Sequence, residues 1–405
     1  MTSLPATPVA FDAFRPEHRA DPYPHYARVR EATPFLPSGF GVDFVTRHAE
    51  CSAVLSETLW SHRDEAELFH PEADRSLLPT SFLWMDPPDH TRLRGLVSKA
   101  FTPRTVTALR PRIRELVTGM LDAALAATSV EAIETIAYPL PLIVVCELLG
   151  VPAADQAMVH RVGPGLARGF DPDPVLSPQE RRTRDENTVE LVTYFRDLIA
   201  RRLADPRNDL VSALGAVHER GDTLTEHEML TTCITLLIAG HETTVNMVGN
   251  GLLALLRNPA QLDLLHERPE LAGPAVDEIL RYDSPVHMTT RTARCELVVG
   301  ERTFQEGDSV CVLVGSANRD PRAFVRPDSF DVTRYATGAA APRHLGFALG
   351  IHYCMGAALA RLEGEILFGE LARRVRALEP AGEPVYRPNL LIRGLRELPL
   401  TAVPR

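Results

Sequence analysis

The spacing of hydrophobic and polar residues predicts a chain that is mostly helical, with short strands towards its ends. Apolar residues recur at helical spacing over residues 91–127, and helical patterns dominate from there to about Tyr282. Strand-like alternation covers four short segments, residues 32–47, 291–300, 309–314 and 389–403. The first and last of these are predicted hairpins, the first with glycines at its turn. The pattern therefore predicts a mainly α fold with small β-sheets.

The order of these elements excludes a common cofactor-binding fold. Helices and strands do not alternate as in βαβ units, and no Gly-x-Gly-x-x-Gly segment is present. The length allows two or three domains or a single large one, and no linker, low-complexity block or internal repeat marks a boundary between domains. A Rossmann dinucleotide site is not expected.

One helical pattern is much longer than the others. Thr225 and Glu228 have the spacing of a capping box, and Asn258-Pro259 ends the pattern. The length is about 32 residues, or about 48 Å at the rise of an α-helix. A helix of this length crosses a whole domain, so its central residues are expected to lie inside the protein.

The centre of this helix combines small and polar residues. Leu236, Ala239 and Thr243 share one face through i+3 and i+4 spacing. Gly240 in mid-helix costs about 1 kcal/mol relative to alanine. The small pair Ala239-Gly240 indicates that a bulky group approaches the backbone at this point.

A glycine-flanked cysteine near the C-terminus is the strongest chemical signal. Cys354 lies between Gly350 and Gly356, and a helical pattern begins at Ala357. The unsatisfied N–H groups and the dipole of a helix start lower a thiol pKa and favour the thiolate, the form that binds metals. The glycines allow a tight turn and let a flat partner approach the backbone.

Composition removes several reaction classes. The net charge of −10 argues against nucleic-acid binding as the main function. Lys99 is the only lysine and follows a serine, which excludes a Walker-type phosphate loop and leaves one candidate for a Schiff base. The six cysteines are scattered without Cys-x-x-Cys pairs, unlike a disulfide framework or a zinc site.

The chain shows no pattern of a membrane anchor. Its first residues lack the basic and apolar regions of a signal peptide. The most apolar stretch, residues 135–151, is interrupted by Pro139 and Pro141 and falls short of the roughly 20 residues of a membrane span. We therefore expect a cytoplasmic protein in a reducing environment.

The cysteine loop resembles the haem-binding loop of the cytochrome P450 monooxygenases, whose pattern is Phe-Gly-x-Gly-x-His/Arg-x-Cys-x-Gly. Five positions match it: Phe347, Gly350, His352, Cys354 and Gly356. Ala348 departs from it, since glycine is usual there, and an alanine with positive φ would be strained. The resemblance implies the single large P450-type fold over residues 1–405, haem b as cofactor and Cys354 as its iron ligand. It also makes Phe347, His352 and Gly356 cofactor-binding residues.

The central helix resembles the oxygen-binding groove of the same family. The family motif Ala/Gly-Gly-x-Asp/Glu-Thr-Thr is matched by residues 239–244. By this resemblance Ala239 and Gly240 bind the cofactor. Thr243 orders water and hydrogen-bonds dioxygen, while Glu242 relays protons from solvent. The reaction needs two protons to release one oxygen atom as water, and a dry pocket supplies none.

The resemblance also implies donors for the two haem propionates, which need hydrogen bonds when buried. His90 and Arg94, at i and i+4, follow Asp86-Pro-Pro-Asp much as in the family. Arg291 stands at the family's propionate position, and His352 lies two residues before the implied iron ligand. Taken singly, each of these four residues is equally consistent with an ordinary charged residue on the surface.

A structural ion pair is expected under the haem. Glu278 and Arg281 stand at i and i+3 and match the Glu-x-x-Arg helix of the family. There the pair locks the core together with a downstream segment, for which residues 318–321 and 330–334 are the candidates.

The implied activity is that of a monooxygenase supplied with electrons from outside. One atom of dioxygen enters a C–H or C=C bond of a hydrophobic small molecule, and the other leaves as water. Since no flavin or nicotinamide motif is present, soluble bacterial members imply a ferredoxin and its reductase as donors. Four arginines form either a basic patch on which an acidic ferredoxin docks or, equally well, an ordinary solvated face: Arg104, Arg110, Arg112 and Arg114.

The substrate class rests on a finer resemblance. Residues 239–246 and 392–396 are similar to antibiotic-tailoring hydroxylases that act on macrolides and other polyketides. A steroid or terpenoid is the second choice. Candidates for the lining of the substrate pocket are the segments 69–83 and 166–180 and the residues Leu236, Ala239, Val286, Met288, Thr289 and Leu391. Each of them is equally consistent with an ordinary core position.

Two alternatives come from other mechanistic classes. A peroxide-driven haem enzyme of the family would usually lack the acid–alcohol pair Glu242-Thr243, which weighs against it. A haem sensor or carrier without catalysis would need no proton relay, and NADPH consumption coupled to product would exclude it.

Overall fold

The computed structural model describes residues 14–38, 41–62, 81–219 and 222–405. Gly39 of the first predicted hairpin and residues 69–80 of the first pocket segment lie outside these ranges. The structure is 57% helical with small sheets, so the mainly α prediction is confirmed. In chain order the α-helices of these ranges are α1 Tyr23–Ala32, α2 His48–Ser56, α3 Asp89–Ala100, α4 Pro103–Ala108, α5 Arg110–Ala126, α6 Pro139–Leu149, α7 Gln156–Arg168, α8 Pro178–Ala204, α9 Leu210–Gly215, α10 Glu226–Arg257, α11 Pro259–Glu267, α12 Ala272–Tyr282, α13 Val314–Ala317 and α14 Ala357–Arg374.

Short helical turns connect several of these helices. One π-helical turn spans Ile133–Ala137. The 3-10 turns of the described part are Pro16–His18, Phe82–Trp84, Ala153–Asp155, Asp173–Val175, Pro269–Leu271 and Gly350–His352.

The strands form one five-stranded sheet and several smaller ones. Within the described ranges they are β1 Phe35–Pro37, β2 Val42–Val45, β3 Trp60–Ser61, β4 Val130–Glu131, β5 His218–Glu219, β6 Asp222–Thr223, β7 Thr289–Ala293, β8 Leu297–Val299, β9 Arg302–Phe304, β10 Ser309–Val312, β11 Val375–Pro380, β12 Val385–Tyr386, β13 Leu395–Glu397 and β14 Pro399–Pro404. The larger sheet has the order β1-β2-β10-β7-β3, in which β2 and β10 are parallel. A three-stranded sheet has the order β11-β14-β4, and β5–β6, β8–β9 and β12–β13 form pairs.

The helical pattern over residues 91–127 is confirmed. It is divided among α3, α4 and α5, because Pro103 and Pro111 each stand in the first turn of a new helix. The predicted hairpin over residues 389–403 is wrong. Its strands pair with earlier ones, β13 with β12 and β14 with β11, so neither pairs with the other. The hairpin at residues 32–47 is confirmed by the antiparallel pair β1–β2.

The central helix α10 has the predicted ends. The Thr225 hydroxyl accepts from the Glu228 N–H at 3.2 Å, and the Glu228 carboxylate accepts from the Thr225 N–H at 2.9 Å. The helix ends at Arg257, after 32 residues. It packs against α6, α8 and α12, and most of its side chains are buried. Among the described residues, no helix has the combination of length and apolar character needed to cross a bilayer.

Glu363 is an ionisable side chain buried in the core-facing side of α14. Only 2% of the residue is exposed, and burial alone raises its pKa from 4.5 to about 8. In the unfolded chain this carboxyl ionises near its ordinary pKa, whereas the folded protein keeps the proton until about pH 8. Unfolding therefore releases a proton between these values, and the free energy of unfolding falls as the pH rises through this window.

We expect Glu363→Gln to remove this pH dependence. The variant should gain stability relative to the wild type by about 1.4 kcal/mol per pH unit within the window, because the amide does not ionise. Melting temperatures of the holoproteins measured from pH 5 to about 8 test this. Glu365→Gln, on the exposed side of the same helix, measures the effect of the substitution itself. Parallel curves for wild type and Glu363→Gln would contradict the prediction.

Candidate active site

Cys354 is held by the loop that precedes α14. Its backbone N–H donates to the Phe347 carbonyl at 2.9 Å, which closes the loop. Gly350 has a φ of 66°, and a Cβ there would lie 2.7 Å from the Leu55 carbonyl oxygen, so the position requires glycine. The loop therefore fixes the sulfur just before α14 begins at Ala357.

The surroundings of the Cys354 thiol have opposing effects. Burial raises its pKa, whereas the N–H groups of Gly356 and Ala357 and the Arg94 guanidinium lower it. The sequence predicts a lowered pKa from the helix start; this is wrong for the thiol alone, because burial outweighs the N–H groups. A metal ion that binds the sulfur deprotonates it outright, and the same donors then stabilise the thiolate.

Ala348 has a positive φ, the strained conformation that its place in the P450-like loop suggests. Its φ is 55°, in the left-handed region that favours glycine. Its N–H donates to the Leu345 carbonyl at 2.9 Å, so the turn is held in place. The loop therefore keeps a glycine conformation with an alanine side chain.

Replacing Ala348 by glycine is expected to stabilise the protein by about 0.5 to 1 kcal/mol. The left-handed conformation costs a residue with a Cβ about 1 to 2 kcal/mol, and the larger unfolded-state entropy of glycine offsets part of this. Ala360→Gly is the matched control within α14 and should instead destabilise by about 1 kcal/mol. Denaturant unfolding of both variants decides the matter, and a loss of stability in Ala348→Gly contradicts the assignment of strain.

Three histidine rings cluster beside the cysteine loop. The centroid of His352 lies 4.4 Å from that of His90 and 5.1 Å from that of His62. Burial, then His62 and Arg291, lower the pKa of His352 to about 2. Burial, then Arg94, lower the pKa of His90 to about 4. Positive charge on His90 and His352 is therefore strongly disfavoured unless a negative group joins the cluster.

Two arginines complete the cluster. Arg94 donates to the Tyr353 carbonyl, next to the cysteine. Arg291 donates to the Thr289 hydroxyl at 3.0 Å, and that hydroxyl lies 3.4 Å from His62 Nε2. The structure thus brings together all four predicted propionate donors. It adds His62, which the sequence analysis missed because it follows no motif and lies far along the chain from the cysteine.

This cluster fits a buried ligand with carboxylate groups. Both ring nitrogens of His90 and Nε2 of His352 are buried without a hydrogen-bond partner among the described residues. Buried polar groups in native proteins are nearly always satisfied, and Arg94 and Arg291 favour a negative charge at this place. The two propionates of a haem have this chemistry, so the residues fit the cofactor that the sequence implies.

The centre of α10 has an open face. Four residues there are partly or fully exposed: Leu236, Ala239, Gly240 and Thr243. A Cβ at Gly240 would have, among the described residues, only Val145 Cγ2 within 4 Å, at 3.8 Å. The Thr243 hydroxyl donates to the Ala239 carbonyl at 2.6 Å. This open face agrees with the predicted approach of a bulky group.

Glu242 lies buried beside this face in an ion pair that the sequence did not reveal. Its Oε2 accepts from the Arg387 guanidinium at 2.8 Å, and only 1% of its side chain is exposed. Burial raises the Glu242 pKa, and Arg387 opposes this effect. Arg387 also donates to the Leu395 carbonyl at 3.1 Å, which fixes the guanidinium. The two residues are 145 positions apart, so no local spacing could have found the pair.

Glu278 and Arg281 form a fully buried pair. Arg281 donates to both carboxylate oxygens, at 2.7 and 2.8 Å, and neither side chain is exposed. Arg334 and the Asp331 N–H donate to the same carboxylate at 3.0 and 2.9 Å. Arg281 also donates to the Asn318 carbonyl at 2.9 Å. Both predicted partner segments therefore converge on this pair.

The candidate pocket residues fall into two groups. Four are partly exposed: Leu236, Ala239, Val286 and Thr289. Met288 and Leu391 are instead 4% and 8% exposed and belong to a hydrophobic cluster with Tyr26. Their apolar side chains pack under α1, so the structure places them in the core. Segment 166–180 runs from the end of α7 to the start of α8.

The four arginines do not form an uncompensated basic patch. Arg110, Arg112 and Arg114 form ion pairs at 2.9, 2.8 and 3.8 Å with glutamates of α14 and α6. Arg104 is exposed beside a shallow surface depression at the start of α4. The prediction of a patch is corrected because acidic side chains on neighbouring helices neutralise most of it, and the solvated face describes these residues better.

Comparison with known proteins shows the family. A sequence model of the cytochrome P450 family matches residues 178–389. The chain belongs to the cytochrome P450 family. The 6-deoxyerythronolide B hydroxylase of Saccharopolyspora erythraea is 38% identical over 94% of this chain and 96% of its own. The biotin biosynthesis cytochrome P450 of Bacillus subtilis is 37% identical over 95% of this chain and 97% of its own. Ligand-free Mycobacterium smegmatis CYP164A2 is 40% identical and has a TM-score of 0.88, covering 97% of this chain and 99% of that one.

Family membership gives the general activity of this P450. It is a monooxygenase with a haem-thiolate cofactor, in which the thiolate favours cleavage of the O–O bond. Cys354 is the cysteine in the loop that matches the family pattern. The two similar relatives carry names from different pathways at nearly equal identity, 38% and 37%, so overall similarity does not select a substrate.

Proposed function

We propose that this P450 inserts one oxygen atom into a C–H or C=C bond of a polyketide or macrolide-type secondary metabolite. The observation that carries the chemistry is the acid–alcohol pair Glu242-Thr243 on α10, with Thr243 on the open face. The substrate class is supported by the local resemblance of residues 239–246 and 392–396 to antibiotic-tailoring hydroxylases. Leu236, Ala239, Val286 and Thr289 are the proposed lining. A steroid or terpenoid is the alternative.

The proposed cofactor is haem b, with Cys354 as iron ligand. When bound, the haem supplies the activation of dioxygen and the transfer of one oxygen atom. His90, Arg94, Arg291 and His352 would hold the propionates. The unpartnered buried nitrogens of His90 and His352 support this assignment. The proposed remaining cofactor contacts are Phe347 and Gly356 in the cysteine loop, and Ala239 and Gly240 on α10.

Glu242 and Thr243 are the proposed proton-handling residues. The Thr243 hydroxyl donates to the Ala239 carbonyl, which leaves its oxygen lone pairs available to accept from water on the open face. Burial raises the pKa of Glu242 while Arg387 keeps the ionised form accessible, so the carboxyl can take and release a proton. Arg387 is therefore proposed as the residue that orients Glu242.

Electrons are proposed to come from a ferredoxin and its reductase. We infer a cytoplasmic setting, in line with the scattered cysteines, and a single domain over residues 1–405. The single-domain proposal is supported by Arg393, which pairs with Asp283 at 2.6 Å and also donates to the carbonyls of Arg19 and Ala20, joining the two ends of the chain.

A titration of haem absorbance tests the proposed substrate class. The purified holoprotein is titrated with macrolactones and linear polyketides, then with steroids, terpenes and fatty acids. A shift from low to high spin with polyketides alone is the expected result, because a substrate bound beside α10 would change the surroundings of the haem. A shift only with steroids or terpenes supports the alternative, and no shift with any polyketide overturns the polyketide proposal.

A turnover assay separates the rival classes. With NADPH, ferredoxin and reductase, product formed in proportion to NADPH consumed excludes a sensor or carrier. Oxidation with hydrogen peroxide but not with the electron-transfer chain would instead favour the peroxide-driven alternative.

A further inference from the structure

Three polar groups from different elements meet at Gly163 of α7. A Cβ at this glycine would lie 2.9 Å from the Tyr138 hydroxyl, 3.6 Å from Glu242 Oε1 and 3.8 Å from His241 Cε1. Tyr138 precedes α6, and the other two residues belong to α10. The absence of a side chain at Gly163 therefore keeps a small space between these groups, called here the Gly163 gap.

Two buried atoms that border the Gly163 gap have no hydrogen-bond partner in the described part of the chain. They are Glu242 Oε1 and His241 Nε2, on residues that are 1% and 2% exposed. Buried polar atoms of this kind are usually satisfied by ordered water when the site is polar. The Tyr138 hydroxyl gives such a water a further partner, since its oxygen can accept as well as donate.

The Gly163 gap lies next to the protein surface. The Tyr138 hydroxyl donates to the His160 carbonyl at 3.1 Å, and the two rings meet edge to face at 4.5 Å. The His160 side chain is 50% exposed and lies 3.6 Å from the carboxylate of Glu134, which is 59% exposed. Tyr138 thus separates an exposed imidazole–carboxylate pair from the buried Glu242.

Two described groups that contact the Glu242 carboxyl do not relay protons themselves. Its Oε2 accepts from Arg387, and a guanidinium is not deprotonated in proteins, so Arg387 orients the group without relaying protons. His241 has a pKa lowered to about 3 by burial and then by Arg387, so it stays neutral. Among the described groups that face Glu242, this leaves Oε1 and the Gly163 gap as the point of entry.

We propose that protons enter from solvent on the side of the exposed His160–Glu134 pair and reach Glu242 Oε1 through a water in the Gly163 gap, with Tyr138 as the positioning residue. The proton passes from solvent to the carboxyl, and Glu242 releases it on the side of Thr243. The chain then returns to its starting protonation state. This inference rests on the proton-handling role proposed for Glu242.

Filling the Gly163 gap tests the route. In Gly163→Ala a methyl group occupies the space, and alanine suits a helical position. The holoprotein is assayed without substrate, using NADPH, a surrogate ferredoxin and its reductase, in water and in deuterium oxide. We expect the NADPH oxidation rate to fall about tenfold and the solvent isotope effect to increase, with the haem spectrum unchanged. Gly119→Ala in α5, where a Cβ meets no atom within 4 Å among the described residues, is the matched control.

A second variant keeps the test decisive if the new methyl group disturbs folding. The nearest clash of the added Cβ is with the Tyr138 hydroxyl, so Gly163→Ala with Tyr138→Phe relieves it while the gap stays filled. The double variant should show the same slow rate and raised isotope effect.

Glu242→Gln separates failure of the route from failure of the proposed role. If Glu242→Gln slows oxidation and raises the isotope effect while both gap variants behave as wild type, the route is overturned and the role of Glu242 stands. If Glu242→Gln also behaves as wild type, the proton-handling role itself is wrong and the inference fails with it.

Discussion

Thr243→Ala is expected to divert electrons from product to hydrogen peroxide, lowering product formed per NADPH by about tenfold or more. The Thr243 hydroxyl lies on the open face of α10, where its oxygen can accept from water. If Thr243 has the proposed proton-handling role, the variant lacks the hydroxyl that orders water at this face, so more of the reduced dioxygen should be released as hydrogen peroxide. Product, NADPH and peroxide are measured together with the ligand that gives the spin shift.

The neighbouring threonine provides a matched control for this prediction. Thr244 donates to the Gly240 carbonyl at 2.9 Å, as Thr243 does to Ala239, but Thr244 is buried, whereas Thr243 is partly exposed on the open face. Thr244→Ala should therefore leave the ratio of product to NADPH close to that of the wild type. An equal loss in both variants would mean that the hydroxyls act through helix stability rather than proton handling.

Glu278→Gln is expected to destabilise the protein by about 3 to 5 kcal/mol, the largest stability effect that the structure predicts. The amide leaves Arg281 buried without its counter-charge. It also replaces one of the two acceptor oxygens by an NH2 group, although each oxygen accepts from Arg281 and from a second donor, Arg334 or the Asp331 N–H. Thermal unfolding of the holoprotein and the fraction of haem retained after purification measure the effect. Thermal stability and haem retention should fall even if the spin-state response to the ligand is unchanged in the protein that still holds haem.

The adjacent acid is the control for the Glu278 prediction. Asp277 pairs with His344 at 3.0 Å and Arg361 at 2.8 Å but is 23% exposed, so solvent compensates for part of the lost charge. Asp277→Asn should cost about 1 kcal/mol. If Glu278→Gln costs no more than Asp277→Asn, the buried pair does not lock the core as described.

Local sequence patterns predicted the parts of the fold and site that depend on local chemistry. The capping box at Thr225 and Glu228 set the start of α10, and the i, i+3 spacing of Glu278 and Arg281 gave a pair that is fully buried. Helical caps and short-range ion pairs depend on residues a few positions apart, so their spacing can be read directly.

Long-range partners could not be predicted in this way. Arg387 pairs with Glu242 across 145 positions, and His62 contacts His352 in the cluster beside the cysteine loop without following any motif. The tail strands β13 and β14 pair with the earlier strands β12 and β11 rather than with each other, because pairing between strands depends on the packing of the whole fold. The ion pair between Arg110 and Glu365 of α14 likewise depends on the packing of two helices that are far apart in the sequence.

The most direct test of the account is the absorbance spectrum of the reduced holoprotein saturated with carbon monoxide, compared with Cys354→Ser. The account predicts the long-wavelength Soret band of a thiolate-bound haem in the wild type and its loss in the variant. Cys295→Ser, which removes another partly exposed thiol, should leave the band unchanged. A wild-type protein that binds no haem, or a thiolate band that persists in Cys354→Ser, would contradict the assignment of Cys354 as the iron ligand.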